Sequence, residues 1–210
     1  MAEHGDRSGV DAAIERFFAS QGHLEIYTSA LVLEETKDRR VRDVLHRVLD
    51  NDSDPDRRHG AARALGWMYP CTVTRAIDAS LARFLRDTTQ TPDARADAAE
   101  SLKYGKGDGG RAALVAATRD QNVVVRFFAA FALGSRKATP EVIYALEQLL
   151  PDQEELNTYW SVSKEALAML GQFRPFLDPY HALLKAECAR VRQDKTASES
   201  DRRWAEFYGT

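Results

Sequence analysis

A short pattern that comes round four times constrains this chain more than anything else in it: an Arg, an Ala-Ala pair three residues on, and a Leu-Gly close. The clearest copy is Arg126, Ala129, Ala130, Ala132, Leu133, Gly134. The same offsets give Arg58, Ala61, Ala62, Ala64, Leu65, Gly66, and then Arg95, Ala98, Ala99, Ser101, Leu102, where Lys103 replaces the Gly. A degraded copy runs Ser163, Ala166, Leu167, Met169, Leu170, Gly171. The anchors at 58, 95, 126 and 163 are 37, 31 and 37 residues apart, which suits a unit of helix, turn, second helix and linker. Within each copy, offsets −1, +3, +4, +6 and +7 form one small or apolar stripe on a 3.6-residue wheel.

A second apolar helix precedes each copy, over Val41–Leu49, Ile77–Leu85, Arg111–Thr118 and Glu141–Leu150. Turn signals divide each pair: Asn51 to Pro55, Thr91-Pro92-Asp93, Asp120-Gln121-Asn122 and Pro151-Asp152. The expectation is therefore an all-α chain, an α-α superhelix of about four helical hairpins. Residues 37–173 form the repeat array, 1–36 supply N-terminal capping helices, and 174–210 supply C-terminal capping helices and a tail. Val123-Val124-Val125-Arg126-Phe127-Phe128 has the β-branched and aromatic content of a strand. Its place in the repeat argues for a helix.

Composition excludes several classes. With 29 Lys+Arg against 32 Asp+Glu the net charge is −3, which removes the basic excess that most nucleic-acid binders use. No apolar run reaches the roughly 20 residues that span a bilayer, and Met1 to Asp11 has no signal-peptide core. A cytoplasmic protein is expected. Cys71 and Cys188 belong to no ligand spacing, so neither a metal nor another cofactor is expected.

Asn122 to Gly134, preceded by Asp120, resembles HEAT repeats, in particular the short bacterial type often described as phycobilin-lyase-like. The resemblance covers about Val41 to Gly171. It implies that Arg58, Arg95 and Arg126 are structural, with Asp87 and Asp120 as turn partners in a ladder between units. Ser163 departs from that pattern. A fold of this kind does not by itself fix a function.

In such arrays the second helix lines the concave side, and offsets +1, +2, +5 and +9 lie opposite the core stripe. They bring forward Arg63, Trp67, Asp97, Glu100, Tyr104, Phe127, Phe128, Phe131, Lys164 and Glu165 as partner-binding candidates. Three phenylalanines on a face expected to be wet imply something that covers them. The competing reading packs Phe127 and Phe128 against neighbouring repeats, and Trp67 and Tyr104 into the core. The mixed charge around the rings suits a protein or peptide better than a polyanion.

Catalytic patterns are weak. The five histidines form no His-Glu dipeptide, so the ligand pattern of the HEAT-type deoxyhypusine hydroxylases is missing, as are HExxH, GxSxG and a phosphate loop. The expectation is a non-enzymatic interaction module, an adaptor, regulator or inhibitor. Two alternatives stay open. One is a HEAT-like DNA glycosylase for alkylated bases using Asp97, and the other is a bilin lyase or chaperone in which Cys71 or Cys188 matters.

Overall fold

A computed structural model describes residues 7–68, 73–156, 159–173 and 178–209. Among them are twelve α-helices and one short 3-10 turn. They are α1 (Arg7–Ala19), α2 (His23–Thr36), α3 (Arg39–Asn51), α4 (Pro55–Trp67), α5 (Arg75–Arg86), α6 (Pro92–Ser101), α7 (Asp108–Ala117), α8 (Val123–Gly134), α9 (Pro140–Glu147), α10 (Val162–Gln172), α11 (Asp178–Gln193) and α12 (Glu199–Tyr208). The chain divides into two compact units, Met1–Ala113 and Leu114–Thr210, with the division inside α7.

Local chemistry sets the helix starts. Asp38, Asp54, Thr74, Thr91, Asn122, Thr139, Ser161 and Ser198 each accept a backbone N–H of the first turn, and Pro55, Pro92 and Pro140 open their helices where no donor is needed. The valine-rich stretch is helical, as its place in the repeat requires: Asn122 Oδ1 accepts from Val124 N at 2.9 Å, and Val125 is wholly buried. Burial of one face outweighs β-propensity here.

In the first unit α1 packs on α2, α3 on α4 and α5 on α6, while α2, α4 and α6 run side by side. In the second, α9 packs on α10, α11 on α12, and α10 lies between α8 and α11. The expected hairpins α3/α4, α5/α6 and α9/α10 are formed, and α7 and α8 follow one another in the chain where the third was expected. The helices read as caps pair in the same way, as α1/α2 and α11/α12.

The repeat stripe is the core. Ala61, Ala62, Ala64, Leu65, Ala98, Ala99, Leu102, Val125, Ala129, Ala130, Ala132, Leu133, Val162, Ala166 and Leu170 are all fully enclosed. The Leu-Gly close has a packing reason as well. A Cβ on Gly66 would lie 2.5 Å from the Cα of Ser101, and one on Gly134 would run into Met169. The glycine of one second helix thus admits the +6 residue of the next.

The expected Arg–Asp ladder is present at Arg126, which pairs with Asp152 of the following turn, and the charge of Arg58 acts on Asp87 in the same sense. Asp52, Asp87, Asp120 and Asp152 each accept the backbone N–H two residues on, at 2.8, 3.0, 2.9 and 3.1 Å, and so close their own turns. Arg58 and Arg126 donate to the backbone carbonyls of Asp52 and Asp120 at 2.6 and 2.9 Å. Arg126 finds its carboxylates in the following turn, at Asp152 and Glu154, both 2.7 Å away.

Candidate functional site

Two faces carry the candidate residues, one in each unit. The face of the first unit is built on α2, α4 and α6. His59 on α4 lies 2.8 Å from Asp97 on α6, and the Tyr27 hydroxyl on α2 donates to the same carboxylate oxygen at 3.1 Å. The His23 and Tyr27 rings stack against His59, each with centroids 5.3 Å from it, and His23 reaches Asp56 at 3.0 Å. Burial, with Asp97 alongside, pushes the Tyr27 hydroxyl up to about 12. It stays a donor at any physiological pH.

One turn further along the helices, the Arg63 guanidinium stacks on the Trp67 ring, 4.3 Å from its centroid, and lies 3.9 Å from Glu34. That separation is too long for a hydrogen bond. The facing atoms, Arg63 Nη1 and Glu34 Oε2, are both buried without a hydrogen-bond partner. Burial raises the pKa of Glu34 and of Glu100, and the charge of Arg63 offsets part of that in both. Trp67 and Tyr104 keep 39% and 41% of their surface exposed, and the Lys103 ammonium sits 5.6 Å over the Tyr104 ring. The competing reading of these two aromatics as core is set aside.

In the second unit the candidate residues meet a run of rings. Phe131 touches Phe128 (6.4 Å between centroids), Phe128 touches Phe127 (5.5 Å) and Tyr159 (6.0 Å), and Phe127 lies 5.2 Å from Tyr159. The run continues through Trp160 (6.0 Å from Tyr159), Tyr208 (5.7 Å from Trp160) and Phe207 (4.9 Å from Tyr208). Phe128 and Phe131 are half-buried, while Tyr159 and Phe207 are 40% and 71% exposed. Edge-on contacts dominate, as aromatic quadrupoles prefer.

Two of the expected contact residues are enclosed. Phe127 is only 2% exposed, because Tyr159 and Trp160 from the segment before α10 cover its ring. Glu165 is fully buried: it accepts from Trp160 Nε1 at 2.6 Å and from the Tyr208 hydroxyl at 3.2 Å. Burial and that carboxylate push the Tyr208 hydroxyl far up. The wheel placed both residues outward because it saw α8 and α10 alone, without the loop and final helix laid across them. The +1 offset behaves alike in the first unit, for His59 is 5% and Ala96 3% exposed, and α4 is flanked by both α2 and α6. Lys164 is an ion-pair partner of Asp201 and lies 5.9 Å from the Trp204 centroid, with 16% of its side chain exposed.

The sequence reading missed Tyr27, His23, Tyr159, Trp160, Tyr208 and Phe207. Its one usable signal was the cluster Tyr159-Trp160 just ahead of the Ser161 cap. Among the described residues no group of three or more His, Cys, Asp or Glu is placed to hold a metal, and no helix is long and apolar enough to cross a membrane. Cys188 is buried, which pushes its thiol up and away from the reactive thiolate. Cys71 lies outside the described residues.

Antiparallel helix pairs in series, with an alanine stripe inward and an Asp-closed turn in each unit, define the HEAT-like class of helical repeat. Residues 26–103 match the family model for HEAT repeats. Across nearly the whole chain the fold is similar to that of an engineered protein, with a TM-score of 0.57 at 17% identity, covering 96% of this chain and 95% of that one. It is similar also to a designed armadillo repeat protein in complex with the peptide (KR)4, with a TM-score of 0.53 at 14% identity, covering 94% and 96%. A second engineered protein matches with a TM-score of 0.55 at 19% identity, over 96% of this chain and 57% of that one. No curated protein sequence matches. Repeat folds of this kind commonly mediate protein interaction.

Proposed function

We propose that the chain is a non-enzymatic interaction module, an adaptor, regulator or inhibitor acting in the cytoplasm, that holds a protein or peptide through the outward faces of its second helices. One observation carries the reading: the ring-to-ring run of the second unit reaches solvent at Tyr159 and Phe207, with Phe128 and Phe131 half-buried beside Tyr159 and each other. Exposed aromatic rings in contact with one another are a common mark of a binding surface. The neighbour solved with a bound peptide supports the same kind of use.

Phe131 is the anchor. Completing the burial of one phenylalanine contributes up to ~1.5 to 3 kcal/mol before entropic costs are subtracted. Tagged protein expressed in the native host, purified by affinity and resolved by mass spectrometry, identifies what is held. Phe131→Asp is expected to weaken capture at least 30-fold, on the order of 2 kcal/mol, with helical circular dichroism unchanged. Capture that survives the substitution ends the proposal. For the glycosylase alternative the readout is DNA retention at low ionic strength, where binding through phosphates is strongest. Asp97, its candidate catalytic group, is already engaged by Tyr27 and His59.

A further inference from the structure

The face of the first unit carries more negative charge than it neutralises. Glu34, Asp97 and Glu100 converge on α2, α4 and α6, and two cations answer these three carboxylates: Arg63 acts on Glu34 and Glu100, and Lys103 acts on Glu100 as well. Asp97 is held by the neutral hydroxyl of Tyr27 and by the His59 ring, not by a guanidinium. Glu34 stays 3.9 Å from Arg63, its paired cation among the described residues. Two aromatic rings on the same elements, Trp67 and Tyr104, keep an open side.

The fold also shows how such a surface receives a cation. Arg63 lays its guanidinium on Trp67 with Glu34 at its edge, which is the combination of stacking and carboxylate that a guanidinium satisfies better than an ammonium. Tyr104 and Glu100, one turn apart on the same stretch of chain, offer that pair of groups again, with the Lys103 ammonium 5.6 Å from the ring centroid and 41% of the tyrosine still exposed. We propose that the α2/α4/α6 face docks an arginine-bearing extended segment of a partner protein, with a guanidinium seated on the open side of Tyr104 or Trp67 and bonded to Glu100. This rests on the interaction-module reading and adds the chemistry of the partner. An acidic segment or a nucleic-acid phosphate would meet the carboxylate excess and be repelled.

The test uses the whole chain and three labelled ten-residue peptides, alternating Ser with Arg, Lys or Glu, followed by fluorescence anisotropy at 50 and 500 mM salt. The arginine peptide is expected to bind, to weaken with salt, and to exceed the lysine peptide at least five-fold, while the glutamate peptide does not bind. Glu100→Gln and Tyr104→Ala are each expected to lose at least five-fold, with circular dichroism unchanged. Equal binding of the arginine and glutamate peptides, no binding of the arginine peptide, or indifference to both substitutions overturns the inference. Host-partner capture that is lost in Phe131→Asp, in a chain that ignores the arginine peptide, removes this inference alone. Arginine-peptide binding alongside capture that survives Phe131→Asp removes the aromatic anchor alone.

Discussion

On α4 and α6 the outward positions within five residues of the repeat arginine include four ionisable groups, and on α8 the same positions hold three rings. His59, Arg63, Asp97 and Glu100 face Phe127, Phe128 and Phe131 in the comparison, at the same offsets from the repeat arginine. The inward stripe is almost the same in both units, because alanine and leucine there are dictated by how closely helices approach. The outward positions answer to whatever lies on them. In the second unit that cover is partly the protein itself: Trp160 and Tyr208 close over Glu165 and give it hydrogen bonds. In the first unit nothing among the described residues closes over Trp67 or Tyr104 to the same degree. Burial in one unit therefore rests on a satisfied carboxylate, and in the other on carboxylates left short of partners.

The largest effect that could break this contrast comes from Glu165. Glu165→Ala leaves the Trp160 indole N–H and the Tyr208 hydroxyl enclosed without their acceptor and opens a cavity. The expected cost is about 3 kcal/mol, read as a lower urea midpoint with an unchanged slope. A loss below about 1 kcal/mol would mean that Trp160 and Tyr208 do not seal the carboxylate as described. Glu165→Gln keeps an acceptor and should cost less than half as much.

Next in size is the Leu-Gly close, which tests whether the two units pack alike. Gly66→Ala drives a methyl against the Ser101 backbone, which cannot yield, and Ser101 is already fixed by its hydroxyl bond to the Ala62 carbonyl at 2.8 Å. Gly134→Ala meets the side chain of Met169, whose three torsions let it swing away. Costs of about 3 and about 1 kcal/mol are expected from overpacking, measured by thermal unfolding. The reverse order would show that the helices of the first unit, not the second, have room to separate.

A smaller contrast lies in the turns. Arg126 spans two acidic side chains and its own turn, whereas Arg58 is bonded to one carbonyl. Arg126→Ala is expected to cost about 2 kcal/mol and Arg58→Ala about 1 kcal/mol or less. Equal losses would indicate that the carboxylates of Asp152 and Glu154 contribute nothing beyond the carbonyl bond.

What was legible follows the same division. The alanine stripe, the hairpins and the turn aspartates could be read because each is fixed by one local rule repeated at a near-constant period. The last two helices were read as caps, and the repeat-like turn that joins them was legible too. Asp194 accepts from Thr196 N and Oγ1 at 2.8 and 2.6 Å, and Ser198 caps α12, the spacing and bonds that Asp87, Thr89 and Thr91 use before α6. The Ser163 anchor kept the packing register, since Val162, Ala166, Met169 and Leu170 are buried and Met169 meets Gly134 as Ser101 meets Gly66, although the Arg position counted from the Ser161 cap falls two residues later, on Glu165. The His59, Asp97 and Tyr27 cluster was hidden for another reason. Tyr27 and Asp97 are 70 residues apart, and their juxtaposition follows only once α2, α4 and α6 stand side by side. The ring run escaped because Tyr159 and Trp160 sit in an insertion between Asp152 and Ser161 that the period does not cover.

The smallest expected effect has the opposite sign from the rest and bears on why the first unit keeps its carboxylates. Burial raises the pKa of Glu100 above its unfolded value, with Arg63 offsetting part of the rise and Asp97 adding to it. Glu100 therefore binds its proton more tightly in the folded chain, and ionising it at neutral pH works against the fold. That penalty is absent below the unfolded carboxylate range and grows as pH rises through the raised folded value. Glu100→Gln removes the ionisation, so the variant should melt about 1 to 3 °C higher than the wild type at pH 7, and the gap should close on going to pH 4. A residue that lowers stability while held on an outward face is the pattern expected of one retained for binding. If Glu100→Gln is destabilised at pH 7, then Arg63 over-compensates the burial, the carboxylate is structural, and the contrast between the two faces reduces to a difference in how each is packed.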